Sequence, residues 1–291
     1  MSMEDADALL TAIVSWARGD DRITALIQTG SRARGERVDE YSDLDLEIIT
    51  PHWRDLHDTP DWIGEFGSVL LRVMFEEDDP WPAPLLVVYA GGRKVDFTIA
   101  GEERLADMAR DGLDDLYKRG YLVHLDRTGI AARLPAPRDA RPVPDPPSAA
   151  EFREVTDEFW FEATQVPIYL NRGELWVAKF RDNTMKECLL RMLEWYAVTD
   201  PAEPRDPWYL GHHMPEWLPA GLIHRLHDVF GRFDAHDSWR ALDATVALFA
   251  DVSAEVAARQ GFSGRSETVA GVRGILDAHR ARWVALDSAR H

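Results

Sequence analysis

Two aspartates, Asp43 and Asp45, stand one residue apart in a stretch where apolar and acidic residues alternate. Successive side chains of a β-strand point to opposite faces, so this alternation predicts a strand with one apolar face. The other face carries a row of carboxylates, Asp43, Asp45 and Glu47. Neighbouring carboxylates repel one another and are costly to remove from water. The pattern therefore predicts that something positive lies between them.

A third carboxylate, Asp96, lies in the later stretch LLVVYAGGRKVDFTIA, residues 85–100. Two β-rich runs flank Gly91 and Gly92 there, which predicts a hairpin with a two-residue turn at positive φ. If this hairpin pairs beside the first strand, three carboxylates converge into an oxygen-rich site suited to Mg²⁺. Two Mg²⁺ ions at such a site can hold the attacking and leaving oxygens of an in-line displacement at phosphorus.

A Gly30-Ser31 turn precedes the paired aspartates by eleven residues. Glycine allows the backbone to approach a phosphate, and the Ser31 hydroxyl and backbone N–H groups can donate to its oxygens. Arg32 and Arg34 add positive charge. A Gly-Ser pair alone is usually a turn, and Asp-x-Asp alone is usually a solvated strand edge. Their combination with a later strand aspartate is far more specific, and it predicts nucleotide binding.

Predicted strands dominate the first half of the chain and predicted helices the second. This order predicts an α+β protein in which a mixed-sheet domain precedes an α-helical bundle. Residues 1–133 form the predicted sheet domain, and six prolines mark 134–148 as a semi-rigid linker. Residues 149–291 form the predicted bundle. The predicted helices span 5–18, 60–66, 102–111, 149–172, 174–198, 219–231, 238–260 and 265–285, and a last strand of the sheet spans 120–125.

The net charge of −18 makes nucleic acid an unsuitable partner, because nucleic-acid binding requires Lys and Arg to neutralise phosphates. Such a charge either serves solubility alone or attracts a cationic small molecule. The single cysteine, Cys188, fits a reducing compartment. No signal peptide or membrane span is predicted. We therefore expect a cytoplasmic protein, without a membrane partner, that is a monomer or a weak oligomer.

Two stretches, GSRARGERVDEYSDLDLEII at 30–49 and EFWFEATQVPIYLNRGELWVAKFRDNTMKECLLRMLEWY at 158–196, resemble the aminoglycoside 6-adenylyltransferase (streptomycin adenylyltransferase) family. This family belongs to the nucleotidyltransferase superfamily with a polymerase-β-like core. The resemblance implies transfer of AMP from Mg–ATP to an aminocyclitol hydroxyl, with release of pyrophosphate and inactivation of the antibiotic. It implies that Gly30 and Ser31 hold the triphosphate and that Asp43 and Asp45 ligate metal. Asp96 is then either a third ligand or the general base.

The helical half is expected to supply the acceptor pocket. Lys179, Asp182 and Lys186 share one face of a predicted helix, with Asn183 adjacent. In one interpretation the lysines reach the ATP phosphates, while Asp182 and Asn183 contact a cationic acceptor. In the other, this face is solvated and carries an Asp–Lys pair. Three tryptophans are expected in the core: Trp160, Trp176 and Trp195.

Three functions remain open from the sequence. The first is the aminoglycoside adenylyltransferase that the resemblance implies. The second is a nucleotidyltransferase that acts on another small molecule or on a protein side chain, since one fold serves many substrates. The third is a nucleotide-binding sensor without turnover, which the presence of all three aspartates disfavours.

Overall fold

A computed structural model of the chain describes residues 6–75, 84–137 and 141–288. The described part of the chain forms two compact units that divide between Pro142 and Val143. This division falls inside the segment 134–148 that the sequence predicts as a linker, of which residues 138–140 lie outside the described residues. Each unit has a hydrophobic core of its own.

The first unit is built on one six-stranded mixed sheet with the strand order β3-β4-β5-β2-β1-β6. Strands β2 and β5 run parallel, and every other neighbouring pair is antiparallel. The strands are β1 (Ala25–Thr29), β2 (Leu44–Ile49), β3 (Val69–Met74), β4 (Pro84–Tyr89), β5 (Lys94–Ala100) and β6 (Leu122–Asp126). The predicted mixed sheet, and with the second unit the predicted α+β class, is confirmed.

Helices cover both faces of this sheet. They are α1 (Ala6–Gly19), α2 (Gly30–Arg34), α3 (Trp53–Asp58), α4 (Glu102–Asp111) and α5 (Asp115–Lys118), with a 3₁₀ segment at Pro60–Phe66. The apolar face of β2 packs into a core shared with α1 and the 3₁₀ segment. The opposite face packs against α4 and α5. Because period-2 alternation sends Asp45 and Glu47 to this second face, it carries the polar groups of the strand.

The second unit is all helical. Its helices are α6 (Ala149–Arg172), α7 (Leu175–Val198), α8 (Met214–Trp217), α9 (Ala220–Leu226), α10 (Ala235–Gln260) and α11 (Ser266–Ser288). A capping box sets the start of α6, because Ser148 accepts from the Glu151 N–H and Glu151 accepts from the Ser148 N–H. In the core, Phe159 of α6 stacks on Phe249 of α10 with ring centroids 3.5 Å apart.

Three details differ from the sequence-based expectations. The connection between β4 and β5 spans the four residues 90–93 and not two, and within it the Tyr89 N–H donates to the Arg93 oxygen. The stretch 219–231 forms only the short helix α9. Leu134, the first residue of the predicted linker, is buried in the core of the first unit. Among the described residues, none of the helices combines the length and the apolar composition that a bilayer span requires.

Candidate active site

Three aspartates meet where β2 and β5 begin. Asp45 lies directly opposite Asp96 in the parallel β2–β5 register, and Asp43 comes just before β2. One carboxylate oxygen from each of the three lies within 4.8 Å of the others. The convergence depends on the pairing of two strands that are about fifty residues apart in the chain. In the sequence analysis this pairing was assumed and not predicted.

The positive group among these carboxylates is Lys94, the first residue of β5. Its ammonium donates to Asp43 Oδ2 at 2.9 Å and to Asp96 Oδ2 at 2.7 Å. Sequence reasoning missed Lys94, although a signal was present. Lys94 precedes Asp96 by two residues on one strand, and this spacing places both side chains on the same face.

The three carboxylates have different electrostatic surroundings. Burial, reinforced by the negative charges of Asp43 and Asp96, raises the pKa of Asp45 to about 7. Burial also raises the pKa of Asp96, although the hydrogen bond from Lys94 opposes this shift. Burial alone would lower the pKa of Lys94, but its hydrogen bonds to Asp96 and Asp43 raise it on balance. Without a bound cation, Asp45 therefore accepts a proton near neutral pH.

The predicted Gly30-Ser31 turn forms the first two residues of α2, directly after β1. Gly30 has φ +73°, a conformation that L side chains rarely adopt, and a Cβ at this position would overlap the Asp45 carboxylate. Thr29, the last residue of β1, lies opposite Asp45 in the β1–β2 register. The strand pairing thus brings the Gly-Ser backbone against the acidic cluster.

The two arginines of α2 have different surroundings. Arg32 donates to the backbone oxygen of Ser42 at 3.2 Å and to Asp7 at 3.2 Å, so it ties α2 to the residue that precedes Asp43. Arg34 has a buried Nη1 that lacks a hydrogen-bond partner. Burial, together with the nearby positive charge of Arg119, lowers the pKa of Arg34. Of the two guanidinium groups, Arg34 is therefore the one with a buried donor still available to an anion.

The chemistry of the donor set fits a hard divalent cation. Three carboxylates supply only oxygen, the ligand type that Mg²⁺ prefers in proteins. Asp96 Oδ1 is buried and has no hydrogen-bond partner, so one potential ligand atom is unsatisfied in the structure. A buried carboxylate oxygen without a partner is costly, and a metal ion would satisfy it.

Another carboxylate of the same strand face, Glu47, has a different environment. Glu47 is buried and bound to Arg104 of α4, and it accepts from the Tyr117 hydroxyl of α5 at 2.9 Å. Arg104 also bonds Asp114 at 2.8 Å. This network fixes α4 and α5 against β2. The row of carboxylates predicted from the sequence is therefore divided: Asp43 and Asp45 belong to the acidic cluster, and Glu47 belongs to a buried ion-pair network.

The predicted residues of the helical unit lie together on α7 and have internal partners. Lys186 donates to Asp182 at 2.5 Å and to Thr245 of α10 at 2.9 Å. Lys179 donates to the backbone oxygen of Gly231 at 2.9 Å. A third contact joins Asn183 to Glu187 at 2.8 Å. The predicted Asp–Lys pair is present, but it is largely buried, with 15% of the Asp182 side chain and 10% of the Lys186 side chain exposed.

One expectation for the tryptophans is wrong. Trp160 lies in the core and Trp195 packs against it, but Trp176 is 78% exposed. Trp176 lies in the first turn of α7, where its ring meets the exposed Phe233 edge to face at 6.2 Å. Helical spacing alone does not distinguish a core position from the end of a helix.

Comparisons with known proteins show which family the chain resembles. A family model described as streptomycin adenylyltransferase matches residues 3–276. A Campylobacter jejuni aminoglycoside 6-adenylyltransferase is 24% identical over 254 residues, which are 84% of this chain and 85% of the relative. Its Bacillus subtilis counterpart is 22% identical over 262 residues, covering 87% and 90%.

Among solved structures, a crystal structure of an aminoglycoside 6-adenyltransferase from Bacillus subtilis aligns with a TM-score of 0.46 at 18% identity. The alignment covers 96% of this chain and 99% of that one. The match to the family model spans nearly the whole chain and includes both the acidic cluster and the helical unit. The chain therefore belongs to the streptomycin adenylyltransferase family.

Proposed function

We propose that this protein transfers AMP from Mg–ATP to a hydroxyl of a streptomycin-type aminoglycoside and releases pyrophosphate, which inactivates the antibiotic. Membership of the family makes the chain an adenylyltransferase and supports an aminoglycoside acceptor. The use of Mg–ATP is supported by one observation, the convergence of Asp43, Asp45 and Asp96 beside the Gly30-Ser31 backbone. Carboxylates and a glycine turn at one place are the groups that hold a metal-bound triphosphate.

In this proposal the residues of α2 and β2 bind and orient the nucleotide. Gly30 and Ser31 bring backbone and hydroxyl donors to the phosphates, and the unpartnered Nη1 of Arg34 gains an anionic partner. Arg32 supports the nucleotide site from its contacts with Ser42 and Asp7. Asp43 and Asp45 would hold Mg²⁺, which supplies neutralisation of the negative charge that develops on the phosphate in the transition state.

Asp96 has two candidate roles, as a further metal ligand or as the base that accepts the proton of the attacking hydroxyl. Its raised pKa brings it closer to the range in which a general base works at neutral pH. Its fixed place on β5 holds the carboxylate rigidly opposite Asp45. Both features suit a base whose position must not vary by more than a fraction of an ångström.

The helical unit is proposed to contribute Lys179 and Lys186 to the nucleotide phosphates and Asp182 and Asn183 to the acceptor. Because Lys186 and Asp182 are bound to each other, each must exchange a partner to take such a role. The net charge of −18 would favour the approach of a cationic acceptor. The alternative acceptors are another small molecule and a protein side chain, and a sensor without turnover remains the non-catalytic alternative.

Mass analysis of the products separates these alternatives. The purified protein is incubated with Mg²⁺, ATP and one acceptor at a time: streptomycin, an aminoglycoside without a streptidine ring, an uncharged aminocyclitol and a denatured protein mixture. We expect one adenylyl group to be added to streptomycin, with release of pyrophosphate. Parallel reactions with GTP and UTP identify the preferred nucleotide.

The Asp43→Asn protein serves as the matched control, since it keeps the shape of the side chain and removes a proposed metal ligand. Adenylylation of a different acceptor in preference to streptomycin would support the second function. Binding of ATP without any adenylylated product across the panel would support the sensor and overturn the proposed activity.

A further inference from the structure

Lys94 occupies the place in the acidic cluster where a cation is expected. Its ammonium bridges Asp43 Oδ2 and Asp96 Oδ2, which belong to two of the three carboxylates that can share one metal ion. In the structure the cluster is thus already partly neutralised by a residue of the chain itself. This neutralisation reduces the repulsion among the three carboxylates, whose oxygens converge within 4.8 Å.

The ammonium of Lys94 and a divalent cation require the same oxygens. A carboxylate oxygen that accepts from Lys94 at 2.7 to 2.9 Å offers less electron density to a metal, and two cations at one cluster repel each other. The Lys94 side chain is 40% exposed, whereas those of Asp43 and Asp96 are 32% and 25% exposed. The lysine therefore has room to leave the cluster on its flexible stem, while Asp96 is held on β5 and Asp43 directly before β2.

We propose that Lys94 is a built-in counterion that competes with the divalent metal for Asp43 and Asp96, and that it moves to a phosphate oxygen when the metal arrives with the nucleotide. This inference rests on the proposed metal-binding role of Asp43, and it requires of Asp96 only a contact with the metal, whether or not Asp96 is chiefly the base. It has a thermodynamic consequence. The metal alone must displace Lys94 without giving its ammonium a new partner, whereas the metal–nucleotide complex supplies one. The metal and the nucleotide therefore bind with positive coupling.

Calorimetric titration with Mn²⁺, in the absence of nucleotide and acceptor, tests the competition directly. The variants of the full chain are Lys94→Met, Lys94→Gln and Lys94→Arg, with Lys118→Met as the control. Lys118 forms an exposed pair with Asp115 on α5 and has no contact with the cluster. We expect Mn²⁺ to bind Lys94→Met and Lys94→Gln at least tenfold more tightly than the unaltered protein. Lys94→Arg and Lys118→Met should stay within about twofold, because both keep a positive charge at position 94.

The second measurement repeats the Mn²⁺ titration in the presence of a non-hydrolysable ATP analogue. In the unaltered protein the analogue should increase the affinity for Mn²⁺ strongly. In Lys94→Met the ratio of the Mn²⁺ affinities with and without the analogue should be at least tenfold smaller. An unchanged gain would overturn the movement of Lys94 to the phosphates. Equal or weaker Mn²⁺ affinity in both uncharged variants, or no Mn²⁺ binding to any of the proteins, would overturn the competition.

The test does not depend on the folding of one particular variant or on the enzymatic activity of the protein. Lys94→Gln retains hydrogen-bond donors, so it provides the measurement if Lys94→Met does not fold. Mn²⁺ affinity also requires no adenylyl transfer. Tighter Mn²⁺ binding in the variants of a protein that adenylylates nothing would therefore uphold the role of Lys94 and reject only the proposed function.

Discussion

Gly30 provides the space into which the carboxylate of Asp45 projects. A Cβ at position 30 would overlap Asp45 Oδ2 and would lie 2.7 Å from Asp45 Cγ. The two residues come together because β1 and β2 pair antiparallel with Thr29 opposite Asp45. Two features of the structure thus favour glycine at position 30: the φ of +73° and the close approach of the Asp45 carboxylate.

Gly30→Ala should therefore cost more than the strain of a positive φ. Gly35 provides a matched control, since its φ is +65° but nothing lies within 4 Å of an added Cβ. We expect Gly35→Ala to lose about 1 kcal/mol of unfolding free energy and to keep its nucleotide affinity. Gly30→Ala should lose more stability and at least tenfold in nucleotide affinity, because Asp45 must move. Urea denaturation and nucleotide titration measure both quantities, and equal losses in the two variants would contradict the role of the close approach.

Asp43→Asn and Asp45→Asn should each abolish turnover while the fold is kept. The amide removes a proposed metal ligand and also a negative charge that repels the other two carboxylates. Asp107→Asn is a suitable control, because Asp107 forms an exposed pair with Arg110 on α4. Steady-state rates and thermal unfolding are the measurements. A rate above about a tenth of the unaltered protein, less than 1.4 kcal/mol of lost transition-state stabilisation, would contradict the metal assignment.

The pKa of Asp45 predicts a pH-dependent stability for the metal-free protein. Because this pKa is about 7 when folded and 3.8 in the unfolded chain, the folded state holds an extra proton between about pH 4 and pH 7. The contribution of Asp45 to stability therefore falls as pH rises through this window, and its full cost is present above pH 7. Asp45→Asn does not titrate.

Urea denaturation of the two metal-free proteins at pH 5 and pH 8 measures this effect. Asp45→Asn should be more stable than the unaltered protein at pH 8, by on the order of 2 kcal/mol, and the difference should shrink at pH 5. Addition of Mg²⁺ at pH 8 should stabilise the unaltered protein more than the variant. A difference between the proteins that stays constant from pH 5 to pH 8 would contradict the raised pKa.

Local sequence pattern predicted most of the elements that form the candidate site. Alternation between apolar and acidic residues predicted β2, and the two β-rich runs around Gly91 and Gly92 predicted β4 and β5. In the helical unit the predicted 149–172 matches α6, because Ser148 and Glu151 form a capping box at its start. In each of these cases the signal lies within a few neighbouring residues.

Asp96 was predicted to join Asp43 and Asp45 only on the condition that its hairpin pairs beside their strand, and the other partners from distant parts of the chain were not predicted. Lys94 bonds Asp43 only because β5 pairs parallel to β2, and the register of this pairing cannot be predicted from local sequence pattern. Burial of Glu47 likewise depends on Arg104 and Tyr117, which follow it by more than fifty residues. A row of acidic residues on one strand face therefore looks uniform in the sequence, while the tertiary contacts divide it into a cluster around Lys94 and a buried network.

Acceptor binding should weaken as the salt concentration rises, because a cationic acceptor is drawn to a protein of net charge −18 and this attraction is screened over roughly 8 Å at physiological ionic strength. Calorimetry with streptomycin at low and high NaCl measures the effect. An uncharged aminocyclitol is the reference ligand. Equal salt dependence for both ligands would leave solubility as the only role of the charge.

Asp96→Asn distinguishes the two proposed roles of this residue. Asp96 accepts a hydrogen bond from Lys94 through Oδ2 and has a buried Oδ1 without a partner. If Asp96 is chiefly the base, Asp96→Asn should bind Mg–ATP with near-normal affinity while its rate collapses. The pH–rate profile should also lose its acidic limb, since the group whose deprotonation sets that limb is gone.

If Asp96 is chiefly a metal ligand, the affinity for Mg–ATP should fall together with the rate, because the metal joins the protein to the phosphates. We expect the base role to dominate, since Asp43 and Asp45 together can anchor a metal and β5 holds Asp96 rigidly opposite Asp45. Nucleotide titration and pH–rate profiles of the unaltered protein and Asp96→Asn decide between the two roles. Near-normal turnover in the variant would reject both and would make Asp182 of the helical unit the next candidate for the base.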